Sequence, residues 1–398
     1  MYRLRLTIPD CRDPWLLPQE RRMRVFYEAC ASGLKCIVAI YNRPDNSTFR
    51  YRVYNVFRAL ENSSSFRLCY FYENELQNVI PRLGSAAALL LCRTAWTPAI
   101  QRAIDTARTK GIPVLFDVDD RVFDLDCLQL VASTLDASLE DEGQRTYWVN
   151  YVASICMTAK QADGFTTTNA FLGGRLQDKF GKPFVCIENS LNEEQLVVSA
   201  ELRKLKAEAD PDGDFVMGYF SGSPSHVNDL KTALPELVAL LRRYENMKLM
   251  VVGYMDLPDG MDDLVAAKKI FTMPFVDFRT LQLLIARIDL NVVPMVENSF
   301  TDCKSELKFF ESAVVDVPTC AAPVYAYRNS IQNGKTGFLC KQGEWYSTIS
   351  DIYSGKHDLK AIDADARNYV LNRYCGANFL NSVEVAYRSI LRQVGGEA

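Results

Sequence analysis

The sequence contains no long hydrophobic run. A stretch such as residues 86–92 (AAALLLC) is far shorter than the about 18 apolar residues that a membrane-spanning helix needs. The opening segment, MYRLRLTIPDCRDPW, alternates charged with apolar side chains and lacks the apolar core of a signal peptide. The sequence therefore predicts a cytoplasmic protein.

Histidine is scarce, and the cysteines form no motif. With only His226 and His357 available, a histidine-based metal site is a poor interpretation, and a zinc enzyme is nearly excluded. The twelve cysteines are scattered and contain no C-x-x-C pair, which is typical of small buried apolar side chains. We therefore expect neither a metal site nor a cofactor.

The chain also has no excess of basic charge. The net charge is −4, and the chain as a whole lacks the basic domain of a nucleic-acid-binding protein, so we expect no nucleic-acid partner. Residues 1–60 carry eleven Lys/Arg against five Asp/Glu. This face could make peripheral contact with anionic lipid headgroups, or its arginines could simply be solvated or paired.

Apolar runs typical of buried strands alternate with helical segments along the chain, which predicts an α/β protein. Its 398 residues suit two domains. We predict a first domain over 1–190, a linker over 191–213, a second domain over 214–375, and a last helix over 376–398 that packs on the first domain. Strands are predicted at 35–41, 66–72, 86–92, 113–120, 164–168, 184–189, 215–220, 247–254, 268–274, 288–295, 319–322 and 336–340.

The most informative stretch is 298–327, NSFTDCKSELKFFESAVVDVPTCAAPVYAY. At about 100° per residue, a helix over 303–317 would be apolar around most of its circumference and thus mostly buried. Its polar strip would hold Lys304, Lys308 and Glu311, with Ser305 beside it. Facing a crevice, such a strip suits a diphosphate and sugar hydroxyls. Alternatively, Lys308 and Glu311 form an ordinary i, i+3 surface pair.

Four segments carry a family resemblance. KSELKFFESAVVDVPTCAAPVYAYRNSIQNGKTGFL resembles the donor-binding segment of family 4 glycosyltransferases of GT-B fold. GYFSGSPSHVNDLKTALPELVALL is similar to the first strand and helix of their second domain. FRYRVYNVFRAL and GIPVLFDVDDRVFD resemble the subgroup that builds bacterial surface polysaccharides. The resemblance implies two Rossmann-like domains facing each other across a cleft.

The chain departs from the family pattern at two places. The first of the family's two glutamates falls at Cys303, with Asp302 and Glu306 nearby but out of register. Ser221, Gly222 and Ser223, followed by His226 and Lys231, replace the usual Gly-Arg and Lys of the phosphate site.

The resemblance implies transfer of a sugar from a nucleotide-sugar donor to a growing surface glycan, either free or lipid-linked. The residues that it implies for donor binding are Gly222, Ser223, His226, Lys304, Ser305, Lys308 and Glu311. The family usually retains the anomeric configuration, although carboxylates in the first domain would suit an inverting base.

Three aspartates end the fourth predicted strand, PVLFDVDD: Asp117, Asp119 and Asp120. Alternation along a strand puts the first two on one face. They could bind a divalent metal, cap the following structure, or bind the acceptor and take its proton. Because GT-B enzymes do not use a metal D-x-D site, we interpret the three as the catalytic, acceptor-side carboxylates.

Arg50, Arg52 and Asn189 follow predicted strands, at the edge where α/β folds bind ligands. We interpret them as acceptor-binding residues, although the arginines could equally be surface residues at a helix start. Two other functions stay open. The chain could be a non-catalytic sugar- or nucleotide-binding subunit of a polysaccharide assembly, or a sugar-nucleotide epimerase of the same fold.

Overall fold

Two parallel six-stranded sheets form the framework of the described residues. The computed structural model describes residues 13–134, 137–209, 213–222, 227–253, 257 and 260–395. The first sheet has the order β2-β1-β3-β4-β5-β6. Its strands are Lys35–Tyr41 (β1), Phe66–Tyr72 (β2), Ala88–Cys92 (β3), Val114–Val118 (β4), Gly164–Thr167 (β5) and Phe184–Cys186 (β6).

The second sheet repeats this design with the order β12-β11-β10-β7-β8-β9. Its strands are Phe215–Ser221 (β7), Met247–Gly253 (β8), Ile270–Met273 (β9), Leu290–Val293 (β10), Thr319–Ala321 (β11) and Phe338–Leu339 (β12). All twelve predicted strands are confirmed, although several are shorter at their carboxyl ends than the sequence predicts.

Helices connect the parallel strands, as parallel pairing requires. In the first half they are Gln19–Ala31 (α1), Asn55–Leu60 (α2), Leu76–Val79 (α3), Pro98–Thr109 (α4), Leu128–Thr134 (α5), Glu142–Gln161 (α6), Ala170–Phe180 (α7) and Glu193–Glu208 (α8). In the second half they are Val227–Lys231 (α9), Leu234–Arg243 (α10), Asp262–Ala266 (α11), Phe278–Ala286 (α12), Leu307–Ala313 (α13), Tyr325–Ser330 (α14), Trp345–Tyr353 (α15), Leu359–Arg373 (α16) and Gly376–Gln393 (α17). A π-helical turn over Arg50–Tyr54 precedes α2.

Both faces of each sheet are buried. Alternate residues of β1 belong to two different apolar clusters, with Cys36, Val38 and Ile40 on one face. Ile37 and Ala39 pack on the other face. The second sheet divides its apolar residues between two clusters in the same way. Helices on both faces account for the continuous apolar runs of these strands.

The chain crosses between the two sheets twice, at adjacent places. The first crossing leads from β6 into α8, and the second leads from α16 into α17. The backbone N–H of Leu191 in the first crossing donates to the carbonyl of Tyr374 in the second, at 2.9 Å. Beyond the second crossing, Val383 and Tyr387 of α17 pack in an apolar cluster of the first sheet.

The predicted helix over 303–317 is too long at both ends. Helix α13 covers only Leu307–Ala313, and Lys304 is extended, with φ −76° and ψ 160°. The reason lies in the other domain, because Asn169 Nδ2 donates to the carbonyl oxygens of Cys303 (3.2 Å) and Lys304 (3.1 Å). Asn169 thus takes the oxygens that the first helical turn would otherwise use. At the other end, Asp316 adopts a left-handed φ of 54° and stops the helix.

Candidate functional site

A cavity of about 480 Å³ lies between the carboxyl edges of the two sheets. Doubly wound folds bind ligands at this edge. On the first-domain side the lining includes residues 44–48 and 50–51, Asp119, Asp120 and Asn189. On the second-domain side it includes residues 220–222, 252–253, 275–276, 278 and 281, together with Asp229, Met295, Lys304, Ser305, Leu307, Lys308, Glu311 and Tyr327.

Lys308 of α13 forms part of the second-domain wall. Its ammonium nitrogen lies 5.3 Å from the centre of the Tyr219 ring. The pKa of Lys308 is lowered from 10.5 to about 8, chiefly by burial and in smaller part by the charge of Lys304, while the carboxylates of Asp229 and Glu311 oppose the shift. The charged form of a lysine that has lost hydration in this way is strongly stabilised when an additional anion binds beside it. Lys308 is therefore suited to bind a phosphate group.

Lys304 joins the two domains at the cavity. Its ammonium nitrogen lies 3.2 Å from Oδ2 of Asp120, at the end of the first sheet. The same nitrogen lies 4.7 Å from the centre of the Phe300 ring. Both partners of the ion pair remain partly exposed to the cavity. The structure thus brings a predicted donor-binding lysine next to a predicted acceptor-side aspartate.

Glu311 is held by two side chains from the first domain. Its carboxylate is buried, and its Oε1 accepts hydrogen bonds from the hydroxyl of Tyr51 and from Nη2 of Arg50, the latter at 3.2 Å. Burial raises the pKa of Tyr51 well above its ordinary value, so the phenol keeps the proton that it donates. Within the described residues every hydrogen bond to this carboxylate ends at Oε1. Oε2 is therefore the oxygen that a ligand can use.

A buried amide network supports this arrangement. Gln282 Nε2 donates to the carbonyl oxygen of Glu311 at 2.6 Å, and Gln195 Nε2 donates to Gln282 Oε1 at 3.0 Å. Arg50 completes the network by donating from Nη1 to Gln195 Oε1 at 3.3 Å. Because Glu311 is buried and pairs with Arg50, the alternative of a Lys308–Glu311 surface pair is wrong. Arg50, predicted to bind the acceptor, instead contacts a predicted donor residue.

Asp119 lies just beyond β4 and is fixed by two neighbours. Its Oδ1 is 3.1 Å from Nη1 of Arg93, and its Oδ2 accepts a hydrogen bond of 2.8 Å from the Thr48 hydroxyl. The carboxylate keeps 17% of its side-chain surface exposed. Asp119 and Asp120 therefore both line the cavity as carboxylates held by cations.

The structure argues against a catalytic role for Asp117. Strand β4 ends at Val118, so Asp117 lies inside the sheet, where its side chain is only 2% exposed. Nε and Nη2 of Arg52 bind its two oxygens at 2.9 and 2.7 Å, and Thr166 donates a further hydrogen bond. Asp117 does not line the cavity, and its charge has a structural partner.

The interpretation of Arg52 as an acceptor-binding residue also needs correction. Its side chain is fully buried, and besides Asp117 it donates to the carbonyl of Ile187 at 2.5 Å and to Asn189 Oδ1 at 3.1 Å. Asn189 does line the cavity, and its Nδ2 donates to the Ser305 hydroxyl at 2.8 Å. Arg52 therefore positions Asn189, which bridges the two domains through Ser305.

Glycines shape the carboxyl ends of β7 and β8. Gly222 lies at the cavity, and a Cβ atom added there would meet open space. Gly253 has a φ of 118°, and a Cβ atom there would lie 1.9 Å from the carbonyl oxygen of Ser221. Only glycine fits this approach of two strand ends. The predicted donor residues Ser223 and His226 lie outside the described residues.

Cys303, at the position of the family's first glutamate, does not face the cavity. It is completely buried and packs with apolar residues of the first domain. Glu306, the nearby alternative, is also buried and is absent from the cavity lining. Burial raises its pKa to about 7, and the neighbouring carboxylate of Glu188 adds to the shift. Neither residue replaces the missing carboxylate.

Two further findings concern metals and membranes. Among the described residues, no three His, Cys, Asp or Glu side chains come together in a way that could hold a metal ion. None of the helices in the part of the chain that the structure describes is long and apolar enough to cross a membrane.

Sequence reasoning missed several residues that line or support the cavity. Thr48 ends the turn-rich segment NRPDNST that follows the first strand, and Tyr51 comes three residues later. This place in the chain could have identified both as edge residues. Asp229 and Tyr327 line the second-domain wall without any motif that marks them. Gln195 lies in the predicted linker, 191–213, and no local sequence signal indicates its place in the buried amide network.

Solved structures with a similar fold were found, whereas neither a family model nor a curated protein sequence matches the chain. HepE from Anabaena, in complex with UDP and glucose, matches with TM-score 0.60 and 12% identity, over 89% of this chain and 100% of that chain. A glycosyltransferase from Rickettsia africae matches with TM-score 0.59 and 14% identity, over 90% and 99%. A sucrose-phosphate synthase from Thermosynechococcus elongatus matches with TM-score 0.57 and 13% identity, over 90% and 99%.

These likenesses and the two parallel sheets identify the architecture as GT-B, with two Rossmann-like domains. The predicted fold class is confirmed. At such low identity the likeness concerns the fold alone, and membership of family 4 stays a prediction.

Proposed function

We propose that the protein is a glycosyltransferase that moves a sugar from a nucleotide-sugar donor to a glycan acceptor. The observation that carries this proposal is the cavity between the sheets. There Lys304, Lys308 and Glu311 of the second domain face Asp119 and Asp120 of the first. One cavity thus offers cations for a diphosphate and carboxylates for hydroxyl groups.

On the donor side, Lys308 and Lys304 offset the negative charge that develops on the leaving diphosphate. Glu311 Oε2 accepts hydrogen bonds from ribose or sugar hydroxyls, while Tyr51 and Arg50 hold the other oxygen. The bound UDP in the similar HepE structure supports a nucleotide at this cavity. UDP-sugars are therefore the first donors to test.

On the acceptor side, the attacking hydroxyl forms a bond to the sugar's anomeric carbon as the bond to the diphosphate breaks. Its proton must pass to a base within hydrogen-bond reach. Asp119 is held in place by Arg93 and Thr48 and is partly exposed, so it is suited to orient this hydroxyl. Asp120 is bound to Lys304, and a diphosphate that takes over Lys304 frees Asp120 to accept the proton.

The finer part of the proposal is a growing surface glycan, free or lipid-linked, as acceptor. It rests on the sequence resemblance and on helix α1. Arg21 and Arg24 are exposed on α1 beside the exposed Glu20 and Glu28, and Tyr27 is 48% exposed. Basic and aromatic side chains together suit peripheral contact with anionic headgroups. Co-sedimentation with vesicles containing phosphatidylglycerol tests this contact, and equal binding by an Arg21→Ser/Arg24→Ser variant would contradict it.

Turnover of a panel of nucleotide sugars tests the function itself. Release of nucleoside diphosphate is measured with and without a set of glycan acceptors. We expect acceptor-dependent release that Lys308→Met and Glu311→Ala abolish, whereas Lys335→Met, which changes an exposed lysine of the same domain, retains it. Unchanged release in both Lys308→Met and Glu311→Ala would show that neither residue belongs to the site. Conversion of the donor without any acceptor would indicate an epimerase instead.

A second candidate is a non-catalytic nucleotide- or sugar-binding subunit. The residue Cys303 favours this candidate. Its buried thiol stands where the family that the sequence resembles has its first glutamate, and neither Cys303 nor Glu306 reaches the cavity. In this case nucleotide binding depends on Lys308, but no donor is consumed. Binding without turnover across the donor and acceptor panels would favour this candidate.

A further inference from the structure

Helix α6 carries an aromatic pair outside the cavity. The rings of Tyr147 and Tyr151 lie one helical turn apart, with centroids 6.0 Å apart and planes only 3° from parallel. Trp148 meets both rings edge-on and packs with Cys127, Val131 and Phe300 beneath. Tyr147 is 62% exposed, so one large ring surface faces solvent on a rigid base. Exposed aromatic rings that are held in a fixed orientation are suited to ligand binding.

Direct side-chain contacts link this aromatic pair to the cavity wall. The Tyr151 hydroxyl accepts a hydrogen bond of 3.0 Å from Nε of Arg93. The same guanidinium binds Asp119 at 3.1 Å, and Asp119 lines the cavity on the acceptor side. A chain of direct contacts therefore leads from the acceptor carboxylate to Tyr151 and outward to Tyr147. A ligand that ran outward from Asp119 past Arg93 would reach the two rings.

Charge and shape indicate what this ligand is. Three acidic residues, Glu140, Asp141 and Glu142, are exposed at the start of α6, and with the exposed Arg145 they leave this end of the helix negatively charged. They repel anionic lipid headgroups and anionic polymers alike. Pyranose rings present apolar C–H faces, whose partly positive hydrogens are attracted to the negative face of an aromatic ring. An electrically neutral sugar chain has apolar faces that can pack on the rings and no charge for the acidic residues to repel. An anionic membrane surface can also pack apolar groups on the rings, but the acidic residues repel it.

We propose that Tyr147 and Tyr151 form a subsite for neutral sugar residues that lie beyond the reacting sugar of the acceptor. The proposal rests on the proposed function and makes it more specific. The acceptor is then an uncharged oligosaccharide that occupies several positions, and single sugars are poor acceptors. Arg93 is a positioning residue that links this subsite to Asp119.

The test measures binding to an array of neutral and anionic oligosaccharides of graded length. We expect wild-type protein to bind neutral chains, with affinity that rises with length. Loss of one ring–sugar contact in Tyr147→Ala weakens binding of the long chains about five- to tenfold and leaves the shortest unaffected. Tyr147→Trp restores the binding. Val149→Ala is the matched control, since this exposed apolar residue lies about 200° around the same helix.

The possible outcomes separate the subsite from the proposed function. Binding of UDP by wild type and Tyr147→Ala is measured in parallel, and we expect it to be equal. Absence of nucleotide binding by the wild-type protein would overturn the proposed function. Intact nucleotide binding without neutral-glycan binding, or an equal effect of Val149→Ala, would overturn the subsite alone. Loss of vesicle binding rather than glycan binding in Tyr147→Ala would assign the face to a membrane.

Discussion

Replacing Lys308 with methionine is expected to stabilise the protein while removing donor binding. Lys308 lies at the cavity wall, and burial lowers its pKa from 10.5 to about 8. A pKa that is lower in the folded than in the unfolded state means that folding disfavours the charged form. The wild-type protein therefore carries a cost of folding that an uncharged side chain of similar length avoids.

The size and pH range of this effect follow from the shift. At about 1.4 kcal/mol per pKa unit, the shift corresponds to a folding penalty of about 3 kcal/mol, which is complete below pH 8. Water in the cavity screens the charge, so we expect a gain of about 1–2 kcal/mol in Lys308→Met. Between pH 8 and 10.5 the unfolded chain holds more protons than the folded one at this lysine, so wild-type stability rises with pH. The advantage of the variant accordingly disappears at the upper end of this range.

Thermal unfolding at pH 7 and at pH 10 measures this difference. At pH 7 we expect the midpoint of Lys308→Met to lie about 2–8 °C above wild type, and near pH 10 the two should converge. The exposed Lys335→Met is the control and should show no gain at either pH. Added UDP should raise the midpoint of wild type by more than it raises that of Lys308→Met at the same concentration. A variant less stable than wild type at pH 7, or a gain that grows towards pH 10, would show that burial of the Lys308 charge does not destabilise the fold.

Two further variants test the structural assignments by chemical and thermal unfolding. Arg52→Met leaves the buried Asp117 carboxylate without its cation, so we expect a loss of about 3–5 kcal/mol, largely recovered in Arg52→Met/Asp117→Leu. An unchanged unfolding free energy in the single variant would argue that Asp117 has no structural role. Gly253→Ala places a methyl group 1.9 Å from the Ser221 carbonyl oxygen and should cost at least about 1–3 kcal/mol. Gly222→Ala, where the methyl meets open space, is the control, and equal stability of both variants would contradict the close approach.

The strands were predictable because their local pattern agrees with their final environment. β3 reads as an unbroken apolar run, and β1 is apolar from Cys36 to Tyr41. Both faces of each sheet are covered, so tertiary contacts reinforce the local preference. The order of strands and helices then placed the strand ends at one edge of each sheet. This placement puts Lys304, Lys308 and Glu311 near one sheet edge and Asp119 and Asp120 at the other. That the two edges face each other across a cleft was implied by the family resemblance.

Strand ends were the first source of error. Alternation placed Asp117 and Asp119 on one face, which is a reasonable basis for giving them the same role. Because β4 ends at Val118, however, Asp117 is enclosed in the sheet while Asp119 lies beyond it, at the cavity. A difference of two residues at a strand end decides between a structural and a functional carboxylate.

Contacts between the domains were the second source of error. Tyr51 and Glu311 are 260 positions apart, and Asp120 and Lys304 are 184 apart. No local periodicity encodes such pairs. The same limitation explains the helix predicted over 303–317, since the residue that shortens it, Asn169, lies in the other domain.

Calorimetric titration with UDP measures nucleotide binding at the cavity itself, because it requires neither the right sugar nor the right acceptor. We predict that wild type and Lys335→Met bind UDP with similar affinity. Lys308→Met and Glu311→Ala should each weaken it at least about tenfold, equivalent to about 1.4 kcal/mol. Unchanged UDP binding by both cavity variants would show that Lys308 and Glu311 do not form the nucleotide site.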